Sequence, residues 1–185
     1  MNEAYFNRLI HRINSAYGCF LLWKCIRVSI SIPESGQQEA ERRTSIMNRY
    51  GGTFSAILYA LENTFITDLH KLFDKSKSNL KLETLIKNIH QKEQKEIKIL
   101  IKSIEEENKR IKTLRDNVTA HDPKNPQEEK IFTQEIEKIF STTQKLLNII
   151  SKSISGTSFD WSQWEEHTKD SFSCIISDLE RGYNK

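Results

Sequence analysis

Apolar residues recur at spacings of three, four and seven through almost the whole chain, the signature of helices that turn one face to a core. From about Asn2 to Ile32, Phe6, Leu9, Ile10, Ile13, Tyr17, Phe20 and Leu21 share a face. Leu22, Cys25 and Ile26 widen that face, so the first helix is expected to pack on more than one side. Pro33 is expected to end it, with Pro33-Glu34-Ser35-Gly36 as the turn. A second helix is predicted from about Gln38 to Phe73, carrying Ile46, Tyr50, Phe54, Ile57, Leu58, Leu61, Phe65 and Leu72. Gly51-Gly52 interrupts it, as a kink or as a close helix contact. Asp74 to Asn79 reads as a polar loop, followed by a short helix near Leu82 to Ile89. A long helix is then predicted from about Lys92 to Ala120, with Ile97, Leu100, Ile104, Ile111, Leu114 and Val118 in its stripe. Asp122 stands before Pro123, a context that disfavours helical geometry, so this helix should stop at or just before His121. Asn125-Pro126-Gln127-Glu128 supplies an N-cap, a proline at the first helical position and a glutamate at the third. The helix it starts should reach about Ser153 with Phe132, Ile136, Ile139, Phe140, Leu147, Ile150 and Ile154 on one face. After Ser155-Gly156-Thr157 a last helix carries Phe172, Ile175, Ile176 and Leu179, with Trp161 and Trp164 as a core anchor.

The architecture that follows is all-α: an antiparallel bundle of five to six helices, without a sheet, forming one domain over residues 1–185. The helix ending near His121 is expected to be among the most buried. Only six glycines and three prolines occur in 185 residues, which suits long helices better than a turn-rich sheet protein. A hydrophobic content of 37% with 29% charged residues is that of a folded globular chain rather than a disordered one. The net charge of +3 permits an RNA partner without demanding one. Cys19, Cys25 and Cys174 lie in apolar settings and are odd in number, so they are read as buried free thiols. The most apolar run, Tyr17 to Trp23, falls far short of the ~20 residues a bilayer needs. With no secretory signal pattern at the amino terminus, a cytoplasmic protein is expected.

Two residues fit none of these packing roles. By helical rotation Arg115 projects with Ile97 and close to Ile104, and His121 lies about 20° from Leu114. A guanidinium so placed needs an anion, a paired carboxylate or a polar cleft, because an unpaired buried charge costs several kcal/mol. Other charged features read as ordinary surface. Glu105, Glu106 and Glu107 with Lys109 and Arg110 fit i,i+4 pairing on a solvated face. His11, His70, His90 and His167 share no metal-ligand spacing, and neither a metal nor a cofactor is expected. There is no glycine-rich phosphate loop and no serine in a nucleophile elbow.

Arg115-Asp116, four intervening residues and His121 resemble the arginine, polar residue, short gap and histidine of the HEPN superfamily. The text around them is similar to its abortive-infection U-type branch: Phe65-Ile66-Thr67-Asp68-Leu69-His70-Lys71-Leu72-Phe73-Asp74, then Ser78 to Leu85, then Leu114 to Asp122. The likeness covers residues 50–150, and the agreement in order and spacing carries it. It implies a four- or five-helix bundle that forms a homodimer and cleaves RNA without metal where two motifs meet. It further implies a phage-defence or toxin–antitoxin setting, with an antitoxin protein as partner. On that reading Arg115, His121 and Asp116 are the catalytic residues and Asn117 a supporting polar one. The chemistry suits them: histidine titrates in the right range for proton transfer, and guanidinium offers planar paired donors to a phosphate. On one helix, six residues separate the pair by ~9 Å of rise and ~120° of rotation, so close cooperation needs either the helix end to unwind near His121 or a second subunit to supply a partner. Some superfamily toxins carry a tyrosine just beyond the histidine; Asp122-Pro123 stands there in this chain, so modification at that place is not expected. Three readings remain open: a ribonuclease, a non-catalytic module binding RNA, a nucleotide or a protein, and a scaffold in which a carboxylate such as Asp116 neutralises Arg115.

Overall fold

Helix α1 (Glu3–Ser29) opens the fold, and it buries Phe6, Leu9, Ile10, Ile13, Tyr17, Phe20 and Leu21 as the periodicity predicts. The computed structural model describes residues 3–73, 82–87, 89–119 and 133–183. Pro33 does not close α1. It sits in the first turn of a short helix α2 (Ile32–Ser35), where the missing N–H of proline costs nothing. Ser35 Oγ donates to the carbonyl of Val28 at 3.0 Å, closing the corner between the two. Gly36 follows with φ +79°, a conformation that favours glycine, and leads into α3 (Gln37–Arg49).

The predicted second helix is also two. Tyr50 leaves helical geometry (φ −110°, ψ 31°) between α3 and α4 (Gly51–Phe73). A Cβ built on Gly51 or Gly52 would meet nothing within 4 Å, so these glycines mark a kink and not a close helix contact. Tyr50 and Ile57, expected on the core face, are 38% and 37% exposed.

After α5 (Leu82–Ile86), the predicted long helix divides into α6 (Gln91–Ser103) and α7 (Glu105–Thr119). Ile104 breaks it with φ −119° and ψ 19° and is itself fully buried. Two features explain the position. Ser103 Oγ donates back to the carbonyl of Leu100 at 2.7 Å, competing with the helix ladder. Glu105, Glu106 and Glu107 then favour a fresh N-terminus through the helix dipole. The break also corrects phase. Ile97, Ile104 and Ile111 are seven apart and all buried, whereas a straight helix drifts about 20° per seven residues. A rotation counted across Ile104 therefore does not relate Arg115 to Ile97. Nor is α7 among the most buried elements: Ile111 is its one fully buried side chain among those described. That rank belongs to α8 (Thr133–Ser155), with nine buried residues, and to α1, with ten among those described. Gly156, at φ +73°, caps α8 by donating its N–H to the carbonyl of Lys152. Last comes α9 (Ser162–Tyr183).

The described residues are thus all-α, and three interruptions turn six expected helices into nine segments. The predicted polar loop at 74–79, the helix end at His121, the Asn125 cap and Phe132 lie outside the described residues.

Contacts group the chain into two compact units. One comprises residues 1–16 and 66–160, with a core of Leu9 and Ile13 from α1, Ile66, Leu69 and Leu72 from α4, Ile97, Ile104 and Ile111, and the apolar face of α8. In it α6 and α7 both pack on α8. The other comprises residues 17–65 and 161–185, where Ile26, Met47, Phe54, Phe172 and Ile176 form the core. Phe20 stacks on Trp23 and Phe65 meets both rings edge-on, with centroids 5.6–6.1 Å apart, and the Arg27 guanidinium lies 5.4 Å from the Trp23 ring centre. Trp161 is a core anchor, edge-on to Tyr17. Trp164 is 42% exposed and is not. Cys174 is likewise exposed, while Cys19 and Cys25 are half-buried; none of the three is in a disulfide.

Candidate functional site

Arg115 and Asp116 stand near the end of α7, in the first unit. Arg115 Nε donates to Asp116 Oδ1 at 2.8 Å, and Nη2 donates to the same oxygen, so one carboxylate oxygen takes the side-on fork of the guanidinium. The opposite terminal nitrogen, Nη1, lies 3.1 Å from Nδ1 of His70 on α4. Arginine nitrogens only donate, so His70 Nδ1 must be the acceptor. The imidazole is then neutral with its proton on Nε2. His70 is buried at 9% exposure, whereas the Arg115 and Asp116 side chains keep 29% and 49%.

Sequence reasoning proposed Arg115, Asp116, His121 and Asn117 as site residues. Arg115 and Asp116 meet directly. The backbone of Asn117 continues α7, while its side chain and the whole of His121 lie outside the described residues. His70 was missed, because its lack of metal-ligand spacing led to an ordinary role. The available signal was its position: Ile66, Leu69 and Phe73 surround it on one helical face, and an imidazole among them needs a polar partner.

The neighbouring charges are structural. Glu107 and Arg110, predicted to pair along their own helix, reach instead to Lys138 and Glu135 on α8. Lys109 does pair with Glu106 on the solvated face. Burial pushes the Glu107 carboxyl up, but the Lys138 hydrogen bond and the Lys138 and Arg110 charges outweigh it and hold it below its usual range. On the far side of α4 from His70, Asp68 lies between Arg12 and Lys71, at 3.8 and 3.9 Å. Burial raises the Asp68 carboxyl, against the pull of Lys71 and Arg12.

A family model for AbiU2, a HEPN family, matches residues 3–173. The chain belongs to this family. No curated protein and no solved structure matches it. The match extends well past residues 50–150, where the sequence likeness was read, and takes in α1 and the first half of α9. It places the protein in the abortive-infection branch of the HEPN superfamily. Among the described residues no helix is long and apolar enough to cross a membrane.

Proposed function

We propose that this HEPN protein is an endoribonuclease of a phage-defence or toxin–antitoxin system that cleaves RNA without a metal. The observation that carries the reading is the Arg115 guanidinium, gripped by Asp116 on one edge and by buried His70 at Nη1, with 29% of the side chain still accessible. A held guanidinium presents charge and paired donors to a phosphate with little reorganisation. In the proposed reaction the 2′-oxygen forms a bond to phosphorus and the bond from phosphorus to the 5′-oxygen breaks. The 2′-hydroxyl proton passes to a base and the leaving oxygen gains a proton, steps for which His121 supplies the imidazole. The products are a 2′,3′-cyclic phosphate and a 5′-hydroxyl. A second copy of the chain, related by a two-fold axis, completes the site by supplying another arginine and histidine.

The test is incubation of the purified protein and an Arg115→Ala/His121→Ala variant with total RNA in EDTA. Cleavage by the first, cyclic phosphate ends and silence of the second are expected. His121→Ala alone should abolish turnover, and Arg115→Lys should impair it severely because lysine lacks the bidentate fork. Cleavage that needs added magnesium, or that survives His121→Ala, overturns the mechanism. Light scattering should find a dimer; a monomer at high concentration counts against the composite site. The Arg115–Asp116 ion pair by itself favours a scaffold in which the carboxylate neutralises Arg115, whereas the accessible 29% of the Arg115 side chain favours a binding module without turnover. Such a module would lose RNA affinity on Arg115→Ala while the wild type cleaves nothing.

A further inference from the structure

We infer that His70 is a positioning residue for Arg115, fixing the guanidinium to the core of its unit through Nδ1; the inference rests on the function proposed for Arg115. Among the buried polar residues described (Ser29, His70, Thr142, Thr143 and Ser151), His70 alone carries an ionisable group. Its helix gives it no freedom. Ile66 and Leu69, at 1% and 0% exposure, flank it and anchor this stretch of α4 in the core.

Two partners of Arg115 among the described residues, Asp116 and His70, differ in what they can fix. Asp116 is its immediate neighbour on α7 and moves with it, so their contact sets the guanidinium relative to α7 only. His70 belongs to another helix, 45 residues away in the chain, and is buried. A bond from Nη1 to His70 ties the guanidinium to the core itself. The tie needs a lone pair on Nδ1, hence the Nε2–H tautomer. Hydrocarbon of the same size would fill the space and lose the tie. Asparagine would keep it, since its amide oxygen stands close to where Nδ1 stands in histidine. His70 acts on substrate only through Arg115 and makes no claim on the proton transfers given to His121.

Three variants of the full-length protein separate these roles: His70→Asn, His70→Phe and Arg115→Ala. With a labelled RNA oligonucleotide, His70→Phe should lose at least about tenfold in cleavage, the scale of one hydrogen bond to a charged group. His70→Asn should recover to within a few-fold of wild type. Both impaired alike, with wild-type melting retained, overturns the inference, because then the acceptor is not what matters. A second measurement needs no turnover: nitrogen-15 NMR of the histidines. It should report His70 with Nδ1 unprotonated and hydrogen-bonded, a signature that changes in Arg115→Ala. A proton on Nδ1 in the wild type overturns the inference. If the wild type cleaves no RNA in EDTA, the ribonuclease reading fails on its own, and the NMR signature still decides the role of His70.

Discussion

Replacing Asp116 with asparagine isolates what the carboxylate does to Arg115. Asparagine keeps an oxygen to accept from Nε and Nη2 and removes only the charge. The Arg115 and Asp116 side chains are 29% and 49% exposed, so solvent screens their attraction. A pair in that setting contributes about 0.2–1 kcal/mol, well below the ~3–5 kcal/mol lost when a buried pair is broken. Asp116→Asn should therefore lower stability by no more than ~1 kcal/mol, which is roughly 2–4 °C in melting temperature for a chain of this size. RNA affinity should move the other way. A phosphate approaching the variant meets a guanidinium that no carboxylate has neutralised, and the same ~0.2–1 kcal/mol corresponds to about 1.4- to 5-fold tighter binding. The assay is a thermal melt alongside fluorescence anisotropy with a labelled RNA oligonucleotide at fixed ionic strength. A fall in affinity of tenfold or more in a folded variant would refute the reasoning. A stability loss of several kcal/mol would do so too, and would make Asp116 the neutraliser of a structural charge.

Other expectations address the fold. Phe140→Ala removes a side chain at 1% exposure from α8 and should cost about 3–5 kcal/mol in chemical denaturation. Gly18→Ala should stabilise by about 0.5–1 kcal/mol, because Gly18 is inside α1 with nothing within 4 Å of a new Cβ. Asp68 has its folded pKa raised above 3.8 by burial, so its contribution to stability is present below that value and is lost as pH rises through the folded pKa. Urea midpoints measured across that window should show a steeper fall for wild type than for Asp68→Asn; equal slopes would refute the assignment.

The elements were legible because burial repeats every 3.6 residues. Ile136, Ile139, Phe140, Leu147 and Ile150 all lie where the pattern put them, at 0–1% exposure. The interruptions were not legible, since Ile104 looks like one more member of a continuous stripe and its break reflects a phase error that only packing against α8 exposes. Exposed Trp164 and Ile175 show the converse: apolar residues at helical spacing do not reveal how wide the covering surface is. At the site, Arg115 announced its need for partners, and its neighbour Asp116 could be named from adjacency. His70 could not, because a contact across 45 residues leaves no periodicity to read.

Because α7 is a separate helix, its grip on the rest of its unit has a different character from that of α8. Among its described side chains one isoleucine is fully buried, and Glu107 and Arg110 reach across to Lys138 and Glu135 through partly exposed ion pairs. Salt screens such pairs and leaves apolar burial intact. Amide hydrogen exchange should accordingly quicken along α7 as ionic strength rises, with α8 unchanged, which makes α7 a segment that opens well below the cost of global unfolding. Any polyanion that binds Arg115 would hold that segment closed, so occupancy could be followed as protection of α7 amides without observing a single cleaved bond.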